Sequence, residues 1–81
     1  VAAVTEKDFQ FDPPTITVAA GTKVVWTNQG PTIHTVADRA GAWGSAVLHP
    51  CDSFSHVFTP PGTYPSHCTL HALMDGTVIL T

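Results

Sequence analysis

Hydrophobic and polar residues alternate along much of this chain with a period of two, which is typical of strands that bury one face. The clearest run covers residues 22–28, where β-branched and aromatic side chains are frequent. A second alternation predicts one N-terminal strand over residues 1–12, with Phe9 and Phe11 both on its buried face. Shorter runs predict further strands at 15–18, 34–37, 53–59, 63–68 and 77–81.

Turn residues separate these runs, and no stretch follows a helical period. Seven prolines and six glycines in 81 residues fit a chain with many tight turns. Residues 38–52 show no sustained period, so we expect a long connection in which Trp43 folds back onto the core. The pattern predicts an all-β sandwich of about seven to eight short strands, antiparallel or mixed.

Length and charge narrow the class of protein. A chain of 81 residues makes one domain, which we place at residues 1–81. The net charge is −3 and the three basic residues are scattered, which argues against a nucleic-acid partner. No apolar run reaches the roughly 20 residues that a membrane span needs. No charged-then-apolar leader opens the chain, so we expect a mature protein or an excised domain.

Residues 68–74 carry three candidate metal ligands of different softness: the Cys68 thiolate, the His71 imidazole and the Met74 thioether. One thiolate and two imidazoles in a trigonal plane, with a weak axial Met, form the copper site used for electron transfer. The second imidazole must come from elsewhere in the chain, and His34 is the candidate. The strand order can bring His34 and the 68–74 loop to one end of the sandwich. We therefore predict one copper ion per chain, cycling between Cu(I) and Cu(II).

Three other functions stay open on these residues alone. A copper enzyme would need an open coordination position, and four candidate ligands leave none. Copper storage or a structural zinc site could use the same cysteine and histidines, although zinc does not favour a thioether. The apolar residues Leu70, Ala72 and Leu73 on the ligand loop favour an electron carrier, because exposed apolar patches often mark docking surfaces for partner proteins. Packing of Leu73 on the core is the alternative.

Several neighbours of the candidate ligands have two interpretations. Asn28 either ends its strand or braces the ligand loops through hydrogen bonds. Thr35 and Thr69 flank ligands, and either could donate to the thiolate or to a loop carbonyl. Cys51 precedes the 53–59 strand, whose direction places Cys51 at the metal end. We expect its thiol to be inert. An intermolecular disulfide in a dimer is the second alternative, and metal binding is the third.

The sequence resembles the cupredoxins, the small blue copper proteins, and within them the amicyanin-like and plastocyanin-like members. The resemblance covers nearly the whole chain, and the Cys-x2-His-x2-Met spacing of residues 68–74 is its most specific part. The other matching segments are Phe11-Asp12-Pro13, Val18-Ala19-Ala20-Gly21, Val25-Trp26-Thr27-Asn28, His34-Thr35-Val36, 54–58 and Pro61-Gly62-Thr63-Tyr64.

This resemblance implies an eight-stranded Greek-key sandwich with copper bound by His34, Cys68, His71 and Met74. It implies a one-electron carrier rather than an enzyme, working in an oxidising compartment, so we expect a periplasmic or extracellular location. The partners would be redox proteins that dock near the His71 loop, and we expect a monomer.

The sequence departs from the family pattern at positions around the site. Leu70 and Ala72 stand where relatives often have proline, and Ile33 replaces a proline that often precedes the first histidine. Ser66 occupies a position that is usually aromatic, so the core is expected to lack one ring. Cys51 stands where relatives often have glycine.

Overall fold

The computed structural model describes residues 1–39, 41–71 and 74–81. Eight strands lie within them: β1 Ala2–Lys7, β2 Gln10–Asp12, β3 Thr15–Val18, β4 Lys23–Asn28, β5 Ala37–Asp38, β6 Ser53–Val57, β7 Gly62–His67 and β8 Asp75–Leu80. In the described part of the chain, no helix is long or apolar enough to cross a membrane.

The strands form two four-stranded sheets, in the orders β2-β1-β4-β6 and β3-β8-β7-β5. The pairs β1–β4 and β3–β8 are parallel, and the other four neighbouring pairs are antiparallel. The predicted all-β sandwich is therefore confirmed, in its mixed form.

The core lies between the two sheets and follows from the alternation in the sequence. Val24 and Trp26 of β4 are 0% and 1% exposed, while the intervening residues of that strand are less buried. Ile16 and Val18 pack against the same core from β3, as the alternation predicts. The other buried apolar residues of the cluster are Val4, Phe11, Val36, Phe58, Cys68, Met74, Val78 and Leu80.

The prediction of a single strand over residues 1–12 is wrong. Lys7 pairs with Gln10, so Asp8 and Phe9 form a two-residue hairpin turn between β1 and β2. Phe9 takes a positive φ of 64°, and its side chain is 61% exposed whereas Phe11 is 3% exposed. The turn reverses the chain, so the alternation of β1 does not continue through Phe9.

The predicted strand at 34–37 is also shorter than expected. Only Ala37–Asp38 forms β5, and His34 instead makes an isolated bridge with Leu48 across the long connection. The amide of each of these two residues donates to the carbonyl of the other, at 3.0 and 2.7 Å. This bridge holds the connection against the end of β4.

Trp43 folds back from the long connection onto the core, as predicted. Its ring lies 5.5 Å from that of Trp26 and stacks on Phe54 and His56 at 6.1 and 4.9 Å between centroids. Phe58 closes the group with an edge-to-face contact to Trp43 at 5.4 Å. We call these five rings the aromatic side, because they fill the space between β6 and the other sheet.

Candidate metal centre

Two buried ligand candidates lie in the segments that follow β4 and β7. His34 follows β4 of the first sheet, and Cys68 follows β7 of the second. Their residues are 0% and 2% exposed. The bridge from His34 to Leu48 and the pairing of β5 with β7 position these two residues relative to each other. We call this end of the sandwich the metal end.

The donor atoms of His34, Cys68 and His71 converge, all lying within 4.8 Å of one another. The Cys68 Sγ is 3.5 Å from the Nδ1 of His71 and 4.0 Å from the Nδ1 of His34. Metal–sulfur and metal–nitrogen bonds of about 2.3 and 2.0 Å, opened to a trigonal angle, place sulfur and nitrogen roughly 3.8 Å apart. The two observed distances bracket that value, so the three donors fit one metal ion.

Met74 is 0% exposed and closes the ligand loop. Its carbonyl accepts a hydrogen bond of 3.0 Å from the amide of Cys68, which brings the two ends of the loop together. Leu70, on the same loop, is 45% exposed. The predicted docking residues Ala72 and Leu73 lie outside the described residues.

Thr35, two residues before β5, holds the cysteine that follows the neighbouring strand β7. Its amide lies 3.4 Å from Cys68 Sγ, and its hydroxyl lies 3.8 Å from the same atom. The Thr35 hydroxyl oxygen accepts a 2.8 Å hydrogen bond from the amide of Thr69 and lies 2.7 Å from the Thr69 hydroxyl. Donors to a thiolate fix its orientation and spread its charge, which tunes a bound metal. Both threonines therefore act beside the candidate ligand, Thr35 directly and Thr69 through Thr35.

Asn28 braces the segment that leads to His34, which favours the second of its two interpretations. The side chain is completely buried. Its amide nitrogen donates to the carbonyls of Thr32 and Leu48, both at 2.9 Å, and its oxygen accepts from the Gly30 amide at 3.0 Å. The amide of Cys51 donates to the Asn28 carbonyl at 2.7 Å, which places Cys51 at the metal end as the strand direction predicts.

Glu6 is a buried carboxyl group that sequence reasoning missed. It is 0% exposed, pairs in register with Asn28 across β1 and β4, and neither carboxyl oxygen has a hydrogen-bond partner among the described residues. Burial disfavours the charged form and raises the pKa of Glu6 from 4.5 to about 7. The alternation with Val4 places Glu6 on the inward face of its strand. Because glutamate is rarely buried, the sequence alone favours a surface position for it.

The hairpin turn between β1 and β2 also reaches the metal end. Asp8 Oδ1 lies 3.4 Å from the Nε2 of His34. The ring of Phe9 meets that of His71 edge to face, with 5.0 Å between centroids and 81° between planes. Sequence reasoning missed both contacts, because it placed Asp8 and Phe9 within a continuous strand.

A family model for the cupredoxin-like domain matches residues 1–80. Amicyanin from Paracoccus denitrificans is 36% identical over 76 residues, which cover 88% of this chain and 58% of that protein. Amicyanin-alpha from Methylorubrum extorquens is 32% identical over 76 residues, covering 88% of this chain and 64% of that protein. The chain thus spans less than two thirds of the length of both relatives.

Solved structures with the same fold include a purple cupredoxin from Nitrosopumilus maritimus. Its TM-score is 0.93 at 24% identity, with full coverage of both chains. The reduced, Cu(I) form at pH 4 of a proline-to-glycine variant of amicyanin has a TM-score of 0.93 at 28% identity, covering 100% of this chain and 82% of that one.

Proposed function

Because the chain belongs to the cupredoxin-like family, we propose that it is a one-electron carrier that binds one copper ion through His34, Cys68, His71 and Met74. The observation that carries the proposal is the convergence of one thiolate and two imidazole donors, from two segments distant in sequence, at one end of the sandwich. Met74 is the axial ligand in this assignment. Copper in such a site supplies the change between two oxidation states.

The surrounding residues keep the donors in place while the charge on the metal changes. His34 is bridged to Leu48 and held by the segment that Asn28 braces. The sulfur of Cys68 accepts hydrogen bonds from the amide and the hydroxyl of Thr35. A site that hardly moves between oxidation states has little to reorganise, which suits fast electron transfer rather than the binding of a substrate. An enzymatic role is therefore not part of the proposal.

His71 is the proposed exit for the electron, because it is the half-buried member of an otherwise buried donor set. The partner would be a redox protein docking over His71 and the ligand loop, which contributes Leu70, Ala72 and Leu73. Besides Leu70, two exposed apolar residues adjoin the ligands: Phe9, 61% exposed, contacts His71, and Ile33, 42% exposed, precedes His34. A small contact area suits a brief encounter that releases its partner quickly. A periplasmic or extracellular location completes the proposal.

Copper addition, followed by optical and paramagnetic-resonance spectra, tests the assignment. We expect an intense visible band from the Cu(II)–thiolate bond at one copper per chain. Cys68→Ser should abolish this band and the redox activity while the far-ultraviolet circular dichroism stays that of a folded β-sandwich. Cys51→Ser is the matched control and should keep the colour. An intense band that survives in Cys68→Ser, or a wild-type protein that takes up zinc but stays colourless with Cu(II), would contradict the proposal.

A further inference from the structure

The turn between β1 and β2 brings a carboxylate to the far side of a candidate copper ligand. His34 directs Nδ1 toward Cys68 Sγ, and its other nitrogen, Nε2, lies 3.4 Å from Asp8 Oδ1. The His34 side chain is 0% exposed, whereas that of Asp8 is 33% exposed. The carboxylate therefore faces a nitrogen that water does not reach.

We propose that Asp8 is a positioning residue for copper: its carboxylate accepts the Nε2 proton of His34, fixes the tautomer that leaves Nδ1 free for the metal, and lowers the reduction potential. The inference rests on the proposed ligand role of His34. A carboxylate on the outer nitrogen of a ligating histidine orients the ring and makes it a stronger donor. A stronger donor and a nearby negative charge both favour Cu(II) over Cu(I).

Gly30 leaves the space that Asp8 occupies. A Cβ atom built on Gly30 would lie 2.7 Å from Asp8 Oδ1 and 3.0 Å from the Asp8 amide nitrogen. A side chain at position 30 would therefore push the carboxylate off His34. The Gly30 amide also donates a hydrogen bond to Asn28. Gly30 therefore takes part both in bracing the segment before His34 and in leaving room for the carboxylate.

The hairpin itself keeps Asp8 in place. The amide of Gln29 donates to the Glu6 carbonyl at 2.9 Å, which ties the end of β1 to the segment before His34. The next residue of the turn, Phe9, rests its ring against His71. Within this one turn, Asp8 therefore contacts the imidazole of His34 through its charge, and Phe9 contacts the imidazole of His71 through packing.

The reduction potential of Asp8→Asn gives the first test. Asparagine keeps the shape and an acceptor oxygen but removes the charge, so the preference for Cu(II) over Cu(I) should fall by up to about tenfold. For a one-electron couple, tenfold corresponds to a rise of about 59 mV in the potential. Asp12→Asn is the matched control. It removes the same charge from the neighbouring strand, where Asp12 pairs with Lys7 at 2.9 Å and is half exposed, and should shift the potential much less.

The second test uses Gly30→Ala, which should raise the potential in the same direction by displacing the carboxylate. In the double variant with Asp8→Asn the two shifts should not add, because both act through one contact. Equal shifts for Asp8→Asn and Asp12→Asn would overturn the proposal, since they would reduce the effect to net charge. Full additivity in the double variant would also overturn it.

The metal-free protein gives a readout that does not depend on copper. Long-range ¹⁵N–¹H spectra report which ring nitrogen of His34 carries the proton. We expect the proton on Nε2 in the wild type and in Asp8→Asn, and a loss of this preference in Asp8→Ala. A proton on Nδ1 in the wild type would reject the positioning role. If instead the wild type showed no Cu(II)–thiolate band, the proposed function would fail and not this inference alone.

Discussion

The aromatic side and the metal end both close the gap between the two sheets, but with opposite chemistry. On the aromatic side, Trp43 covers the core with stacked rings, the nearest 4.9 Å away. At the metal end, polar residues are buried beside Cys68 and Met74: Glu6, Asn28 and His34 are all 0% exposed. Ring packing stabilises without directional demands, whereas buried polar groups stabilise only where each finds its partner.

This contrast separates stability from function within one small domain. The side-chain amide of Asn28 makes three hydrogen bonds. The carboxyl oxygens of Glu6 make none with the residues that the structure describes. Changes on the aromatic side should therefore alter the free energy of unfolding and leave the copper spectrum alone. Changes to the buried polar residues at the metal end should alter both, or change how stability depends on pH.

Asn28→Ala should have the largest effect. It removes the partners of two carbonyls and one amide in a buried loop, and we expect a loss of about 3–4 kcal/mol in the free energy of unfolding. The visible band should also shift or broaden, because the segment before His34 loses its brace. Thr27→Ala is the control: Thr27 makes an exposed 3.0 Å contact with Ser53. Chemical unfolding and optical spectra would check both, and an unchanged Asn28→Ala band would weaken the claimed difference between the two regions.

Glu6→Gln should remove a dependence of stability on pH. The folded-state pKa of Glu6 lies above its ordinary value, at about 7, so the native state holds the proton more tightly than the unfolded chain. The contribution of Glu6 to stability should be fully present below pH 4.5, fall as pH rises toward 7, and be lost above it.

Between pH 5 and pH 8 the stability of Glu6→Gln relative to wild type should rise by on the order of 2–3 kcal/mol. Denaturant unfolding of the metal-free protein at several pH values measures this difference. Asp12→Asn, which removes a carboxylate from the surface, is the control. Parallel curves for wild type and Glu6→Gln would show that Glu6 does not titrate in this range.

Trp43→Ala probes the aromatic side. The side chain is partly exposed and contacts Trp26, Phe54, His56 and Phe58, so we expect a loss of about 2 kcal/mol, less than for a fully buried tryptophan. The position and intensity of the visible band should not change. A shifted band in this variant would mean that the two regions are coupled.

Cys51→Gly should have the smallest effect. Cys51 has a φ of 75°, a conformation that costs a non-glycine residue about 1 kcal/mol. Glycine should therefore stabilise the protein by roughly that amount and leave the visible spectrum nearly unchanged. Thermal unfolding with optical spectra would check this. A large spectral shift would promote Cys51 to the metal's coordination sphere.

The sequence predicted the sandwich because the apolar alternation in β4 and β8 reports directly on burial. It failed at Phe9, since alternation fits a continuous strand as well as two strands joined by a turn without glycine. Positive φ at an aromatic residue leaves no mark on the pattern. Once the strand was misplaced, the Asp8 contact with His34 could not be foreseen.

The candidate site was more accessible to prediction than its surroundings. Cys68, His71 and Met74 are close in sequence, and their donor types define the chemistry wherever the loop lies. The environment of Glu6 depends on which strand packs beside it, and that is a property of the assembled sheets. Ser66 was placed correctly on the inner face and is 2% exposed, with its hydroxyl donating to the Gly76 carbonyl at 3.3 Å. The ring of Phe11 packs directly against Gly76, where an added Cβ atom would lie 3.1 Å from the ring.

The parallel pairing of β3 with β8 links the order of synthesis to the order of assembly. Thr15–Val18 pairs with residues 77–80, so the second sheet gains its edge strand β3 only after residues 77–80 have been made. Three of the four proposed ligands come from the same late segment. A growing chain therefore cannot present a finished site to copper ions, and pairing over such separations folds slowly compared with local contacts.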